Sequence, residues 1–328
     1  MSAMSAPVFT IAVPCHNGEK KLPHLLDRLY EQDGLDEIPL EVVVVNNNST
    51  DGTAEVIESY RQRDDLPYTL TTYFEDGGQG AAFARLRAMK EATTEWVGFL
   101  DDDIVPDRDW LKSAYRFGQD KPRIAVFGGE IRPDYYEKQP PKGFKKIKSL
   151  LAIRDELGDC PVQYNPSLLF APPSASWVVR RQAWRDCVPD TPSLAGRSEN
   201  IKLQGDDYEP LIYMHRQGWE VWYNPEMRVV HRIPARRLTD EKLLEITQMS
   251  SLCVYPLRTI AESSRNKPSI FARIVLGNLK RASKQVWENR SRAAAEIDPI
   301  VRRCQLKQHL DSAWSPFHYY FCKFGLLK

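Results

Sequence analysis

Four consecutive valines, Val42, Val43, Val44 and Val45, constrain the fold of this chain more than any other feature of it. β-Branched side chains are stiff at χ1 and suit a pleated surface, and an unbroken apolar run leaves neither face of a strand for water. Residues 41–45 are therefore predicted to form a strand inside a sheet covered on both sides. The flanking sequence repeats the theme. Residues 8–13 form a short apolar run, followed by Leu22, Leu25, Leu26 and Leu29 at helical spacing. Residues 49–52 offer N-cap choices for a helix through about Arg61. Residues 68–74 read as a third strand, 81–92 as a helix and 96–100 as another buried strand. Residues 124–127 read as a fifth strand, ending at Gly128-Gly129. Repeated βα units of this kind demand a largely parallel sheet flanked by helices, and such sheets bind ligands outside the carboxyl ends of their strands. The polar clusters 14–19, 46–51 and 101–103 fall at those ends and are predicted to share one edge.

The middle of the chain, residues 134–205, is less regular. An amphipathic helix is expected over 144–157, a short strand over 176–179 and a helix beginning near Asp206. Short extended pieces are expected at 219–223 and 228–231. After Thr239 the pattern is mostly helical, punctuated by Pro256, Pro268, Pro299 and Pro316. The formal net charge is +1, from 45 Lys plus Arg and 44 Asp plus Glu, which excludes a globally basic nucleic-acid binder. From Leu238 onward, however, there are 15 Lys plus Arg against 8 Asp plus Glu, so an acidic body carries a basic C-terminal part. The six cysteines lie far apart with no C-x-x-C pair, as free thiols in a reducing compartment would. No apolar run approaches the roughly 20 residues of a membrane span, and no signal peptide is evident. The expectation is a cytoplasmic protein.

Several clusters carry chemistry, each with a plainer alternative. Asp101, Asp102 and Asp103 repel one another, and Mg²⁺ or Mn²⁺ would neutralise them and bridge a diphosphate; a solvated acidic loop ahead of a helix is the alternative. Asp206 and Asp207 follow Gly205, where one acid is placed to abstract a hydroxyl proton or simply to cap a helix. His231 ends a strand, as a structural hydrogen-bonding residue or, with Asp103 beside it, a metal ligand. Arg85 follows a glycine-rich stretch that includes Gly80; it could grip a phosphate, or the stretch could be a turn before a helix. Asn46 and Asn47 suit a base edge or a turn. Trp177 and Trp219 suit a sugar ring or a core, and Arg197 an acceptor loop or open surface. Lys280, Arg281 and Lys284 suit a binding surface or a solvated helix face.

Taken in this order, these residues resemble the family 2 glycosyltransferases, inverting enzymes of the Rossmann-like GT-A fold. Ile11 through Glu19 (IAVPCHNGE) resembles the first nucleotide-binding strand and loop, and VVVVNNNSTDGT from Val42 resembles the second strand and turn. Ala84-Arg85 matches the Arg-bearing helix, FLDDDIVPDRDWL from Phe99 the metal and diphosphate segment, and GDDYE from Gly205 the segment of the catalytic base. YNPEMRVVH ends on His231, which matches a histidine that completes metal coordination in some members. The resemblance covers about residues 8–237.

It implies a GT-A domain over 1–238, with a nucleotide-binding half at 8–130 and an acceptor-side half at 131–238, followed by a basic helical extension at 239–328. It implies that Asp103, His231 and Asp101 bind a divalent cation, Mn²⁺ or Mg²⁺, and that Asp101 and Asp102 face the nucleotide. Asp207 would be the base, with Asp206 as the fallback. Pro14, Cys15, His16, Asn17, Glu19, Asn46, Asn47, Gly80 and Arg85 would hold the donor, and Trp177 and Arg197 would touch the acceptor. The implied reaction moves a sugar from a nucleotide-diphosphate sugar, a UDP-sugar favoured, to a hydroxyl of a glycan, polysaccharide or lipid-linked acceptor. The family usually has at least one Asp at positions 46 and 47; here both are Asn, and Leu86 replaces a frequent Asn. That double Asn gives some support to the alternative of a catalytically silent sugar-nucleotide-binding or scaffold protein. A sugar-nucleotide pyrophosphorylase would want a G-x-G-T-R-type loop, which residues 14–19 lack. Residues 243–262 are similar to a stretch of cyanobacterial hormogonium-polysaccharide glycosyltransferases. The basic extension suits peripheral contact with the inner face of a membrane, or an oligomer contact.

Overall fold

The computed structural model describes residues 6–326 except 79, 120, 192, 195–202, 204 and 263–266. The chain divides into two compact units. The first comprises Met1–Asp134, Ile153–Thr191 and Tyr213–Arg232; the second comprises Tyr135–Ala152, Pro192–Ile212 and Ile233–Lys328.

The first unit is built on one sheet. Its opening βα repeats run β1 (Phe9–Cys15), α1 (Leu22–Tyr30), β2 (Leu40–Asn46), α2 (Thr53–Arg61), β3 (Thr69–Phe74), α3 (Ala81–Glu91) and β4 (Trp96–Leu100). All four valines of β2 are buried, as their lack of a polar face requires. In α1, Pro23 sits in the first turn, where no backbone N–H is needed, and all four predicted leucines are buried. After β5 (Ile104–Pro106) and α4 (Trp110–Gly118) come β6 (Ile124–Asp134), β7 (Val162–Gln163), β8 (Ser176–Arg180), α5 (Arg181–Cys187), α6 (Tyr208–Arg216, whose residues up to Ile212 fall in the second unit) and β9 (Glu220–Arg232). The strand order is β3-β2-β1-β4-β8-β6-β9-β5, with β7 paired to β9. The β3-β2-β1-β4 half is parallel, as expected. The other half is mixed: β8 runs antiparallel to β4 and β6, β6 and β9 are parallel, and β5 and β7 run antiparallel to β9. The chain leaves β1 in one direction for β2 and β3, then returns to β4 on the other side. The carboxyl ends of β1 and β4 therefore flank a topological switch point, the usual ligand crevice of such sheets.

Two local expectations change. The pieces expected at 219–223 and 228–231 are one strand, β9, which begins at Glu220. A register shift between Gly128 and Glu130 of β6 leaves residues 224–227 of β9 outside the paired register, so Pro225 costs the ladder no bond. The expected helix over 144–157 is instead two 3₁₀ turns, Phe144–Lys146 and Lys148–Leu151, ended by Ala152 at a left-handed φ of 57°. The apolar spacing of Phe144, Ile147 and Leu151 serves tight turns as well as an α-helix.

The second unit is mostly helical: α7 (Asp240–Leu252), α8 (Val254–Ala261), α9 (Lys267–Glu288), α10 (Arg292–Ala295) and α11 (Pro299–Lys323). Thr239 caps α7 by accepting from the Lys242 N–H, and Asp298 caps α11 by accepting from Ile300, with Pro299 in the first turn. α11 packs on α7 and α9, around a cluster of Tyr255, Ile270 and Ile274 bordered by Phe271, Tyr319 and Tyr320. All six cysteines are free thiols. Among the described residues no helix is long and apolar enough to cross a membrane.

Candidate active site

The loops after β1 and β2 are stitched together at the carboxyl edge of the sheet. Gly18 N–H donates to Thr53 Oγ1 at 2.8 Å and Asn17 N–H to Ser49 Oγ at 3.0 Å; Thr50 N–H returns a bond to Asn17 Oδ1 at 2.9 Å. Glu19 N–H reaches Asp51 Oδ2 at 3.2 Å, and Gly52 N–H reaches Glu19 Oε2 at 3.4 Å. His16 Nδ1 lies 2.8 Å from the Asn47 carbonyl. Asn17 adopts a left-handed φ of 51°, tolerable for Asn because its short polar side chain bonds locally. Pro14 and Cys15 are the last residues of β1, and Cys15 is buried.

The three aspartates after β4 diverge. Asp101 pairs with buried Arg85 of α3, Oδ1 to Nη2 at 3.5 Å. Burial raises its carboxyl pKa, and the guanidinium opposes that rise. Asp102 turns the other way, beneath the β1 loop. Its Oδ1 meets Lys21 Nζ at 2.5 Å and its Oδ2 accepts from Cys15 Sγ at 3.5 Å. Burial pushes the Asp102 carboxyl up to about 6, against the pull of Lys21. Asp102 therefore ties the loop after β1 to the end of β4. A side chain at Gly18 would collide with Cys15 Sγ at 2.3 Å, so this packing requires glycine. Lys21 is a site residue that sequence reasoning missed: a lysine at a helix entrance carries no periodic signal, and only the fold brings Asp102 to it.

Asp103 belongs with His231. The β5–β9 ladder sets Ile104 opposite His231, and Arg232 N–H donates to the Asp103 carbonyl at 3.0 Å. This brings Asp103 Oδ2 to 3.6 Å from Nε2 of the buried His231. That separation exceeds a hydrogen bond and is one that two ligands of a single cation can keep. Carboxylate and imidazole together suit Mn²⁺ and related divalent ions. Among the described residues no group of three or more His, Cys, Asp or Glu is disposed to hold an ion. The residues present thus fit a cation held by one or two protein ligands and completed by substrate phosphates, the habit of Mg²⁺-type sites.

Asn47 explains part of the departure from the family pattern. Its Nδ2 donates to the carbonyls of Glu75 at 3.0 Å and Gly78 at 2.7 Å, while its Oδ1 accepts from Gly80 N–H at 2.7 Å. Both faces of the amide clasp the turn ahead of α3, the helix of Arg85. A carboxylate could accept from Gly80 but would face two carbonyls with nothing to donate. Asn47→Asp is expected to destabilise the protein by about 1–3 kcal/mol at neutral pH, measured by urea titration. Asn46 closes β2 and accepts from Ser49 N–H at 3.1 Å. Gly80, at φ 127°, starts α3 in a conformation only glycine takes easily.

In the second unit, Asp206 and Asp207 occupy the turn before α6, whose first N–H groups, those of Tyr208 and Glu209, donate to the Gly205 carbonyl. Gly205 has φ 135°, and a Cβ there would stand 3.1 Å from that of Cys253. Cys253 is buried beneath this turn; burial, then the charge of Asp207, push its thiol pKa up. Glu209, a second residue missed from sequence, accepts from Ser193 N–H and Oγ and from Leu194 N–H, pinning that segment to α6. Trp177 is fully buried in β8, edge-on to Phe99 at 6.2 Å, so its ring offers no face to a sugar. Arg197 lies outside the described residues.

Residues 10–166 match the model of glycosyl transferase family 2. The matched segment is just under half of the chain, and the fold is of the GT-A type. The chain is similar to the poly(ribitol-phosphate) beta-N-acetylglucosaminyltransferase TarS of Staphylococcus aureus, at 36% identity over 109 residues. That match covers 33% of this chain and 18% of TarS. It is also similar to the 4,4'-diaponeurosporenoate glycosyltransferase of Staphylococcus aureus, at 28% identity over 151 residues, covering 44% of this chain and 36% of the relative. The matched segments thus span well under half of either relative. Among solved structures, the mannosyltransferase PcManGT from Pyrobaculum calidifontis, in complex with GDP-Man and Mn2+, shares the fold. The TM-score is 0.58 at 20% identity, over 95% of this chain and 87% of that one.

Proposed function

We propose that this protein is an inverting, cation-dependent glycosyltransferase that moves a sugar from a nucleotide-diphosphate sugar to a hydroxyl of a glycan, polysaccharide or lipid-linked acceptor. The observation that carries this reading is the convergence of Arg85, Asp101, Asp103 and His231 at one edge of the first unit, beside the interlocked β1 and β2 loops. Relatives that bear transferase names support it. A departing nucleoside diphosphate gains negative charge, and a fixed guanidinium such as Arg85 stabilises that charge more in the transition state than in the ground state. Asp103 and His231 would hold the cation, which as a Lewis acid neutralises the same charge when bound. Asp101 orients Arg85. The loops at 14–19 and 46–53 would receive base and ribose, with uridine the first choice; Asn46 would meet the base with an uncharged amide.

Asp207 would take the proton of the acceptor hydroxyl as it attacks C1 from the side opposite the leaving group. This assignment comes from the GDDYE segment of the second unit and from the family pattern at that position. The test is thermal unfolding of the full chain with UDP, GDP and UDP-sugars, with and without Mn²⁺. A matching nucleotide at about 100 times its Kd should stabilise by about 2.7 kcal/mol. Asp103→Asn or His231→Ala should remove the Mn²⁺-dependent part, read as the shift from each variant's own unliganded Tm. Absence of any cation-dependent stabilisation of the wild type would overturn the reading.

A further inference from the structure

Helix α9 carries two apolar faces, and the fold uses only one. Ile270, Ile274, Asn278 and Ala282, at four-residue spacing, form its buried face in the helical unit. Leu276, Leu279, Val286 and Trp287 form a second stripe that is left in the open. Leu276 is 67% exposed and Trp287 is 73% exposed. At about 100° per residue these four fall within a sector of roughly 100°. Arg273, Lys280 and Lys284 line one border of that sector. Exposed apolar surface continues onto α11 through Trp314, which stacks on Phe317 at 5.3 Å; Phe317 in turn meets Phe271 of α9 at 4.9 Å.

We infer that this face docks on an anionic lipid bilayer, with α9 lying in the plane of the interface. The chemistry of the stripe selects this occupant. Leucine and valine would enter the acyl boundary, and tryptophan prefers the level of the headgroups. The bordering cations have long apolar stems, which let their charges reach lipid phosphates. Residues 267–288 hold five Lys plus Arg and a single acid, Glu288. A second copy of the chain would bring two such cationic helices face to face, and like charges across an interface oppose association. Nucleic acid would pair with the cations but leave the leucines and Trp287 without use. This inference concerns a surface remote in sequence from the donor-site residues and stands whether or not the transferase reading holds.

The test is flotation of the full chain with vesicles of phosphatidylcholine containing about 30% phosphatidylglycerol, in low salt, against vesicles of phosphatidylcholine alone. The anionic vesicles should carry the protein up the gradient with about tenfold or greater preference. Leu276→Glu/Trp287→Glu and, separately, Lys280→Glu/Lys284→Glu should each lower the bound fraction about tenfold. All four side chains are exposed, so the variants should keep the wild-type circular dichroism and Tm. No flotation of the wild type, or flotation unchanged in both variants, would overturn the inference. So would a concentration-dependent dimer in sedimentation velocity that Leu276→Glu abolishes, since the stripe would then belong to a second copy.

Discussion

Asp207→Asn is expected to lower turnover by about 10²- to 10⁴-fold, the range over which general bases act. The substitution is nearly isosteric. The turn before α6 is held by Gly205, whose carbonyl accepts from Tyr208 and Glu209, and by Glu209, which anchors Ser193 and Leu194. An amide there can still accept a hydrogen bond, but it cannot take the proton. The loss should therefore fall on kcat, with the affinity for nucleotide nearly unchanged, because the proposed donor-site residues Arg85, Asp101, Asp103 and His231 are untouched. Release of nucleoside diphosphate with a hydroxyl acceptor gives kcat, and calorimetric titration gives the nucleotide Kd. Asp206→Asn is the paired control: the larger loss of the two marks the base, and full activity in both variants would place the base elsewhere.

Gly129→Ala is expected to be the most damaging single methyl that could be added to the sheet. It lies in the register shift between β6 and β9, where a Cβ would stand 1.7 Å from the Met227 carbonyl oxygen and 2.5 Å from Met227 Cβ. The obstacle is backbone, so no rotamer change relieves it, and the two strands must separate. Overpacking costs of about 1–3 kcal/mol assume that neighbours can yield; here the cost should exceed about 3 kcal/mol. It should appear as a fall in the urea midpoint or as loss of soluble protein. The same ladder runs on to the pair Pro133 and His231, so residual folded protein should also lose Mn²⁺-dependent nucleotide binding. Gly277→Ala is the contrast. It lies within α9, where an added methyl meets nothing closer than Arg281 Nη2 at 3.7 Å, and it should stabilise by about 0.5–1 kcal/mol.

Local patterning made much of the first unit legible. The valine run, the α1 leucines and the alternation of strands and helices pointed to a largely parallel, helix-covered sheet; the β3-β2-β1-β4 half is parallel, and the other half is mixed. Errors arose where a local signal had two solutions. The Phe144, Ile147 and Leu151 spacing suits 3₁₀ turns as well as an α-helix, and the two extended pieces expected at 219–223 and 228–231 belong to one strand with a register shift between them. Trp177 suited a sugar ring or, as most tryptophans do, a core, and its burial decides for the core.

The three adjacent aspartates show where sequence ends. Their composition alone determined that the segment after β4 concentrates negative charge and wants cationic partners, since like carboxylates this close repel. Which partner each one takes was decided only by the fold. Arg85 is delivered to Asp101 by α3, Lys21 to Asp102 by the β1 loop, and His231 to Asp103 by the β5–β9 ladder. The physical reason is that periodicity and turn chemistry act over a few residues. These pairs join groups far apart in the chain, set by strand order and register that no local pattern contains.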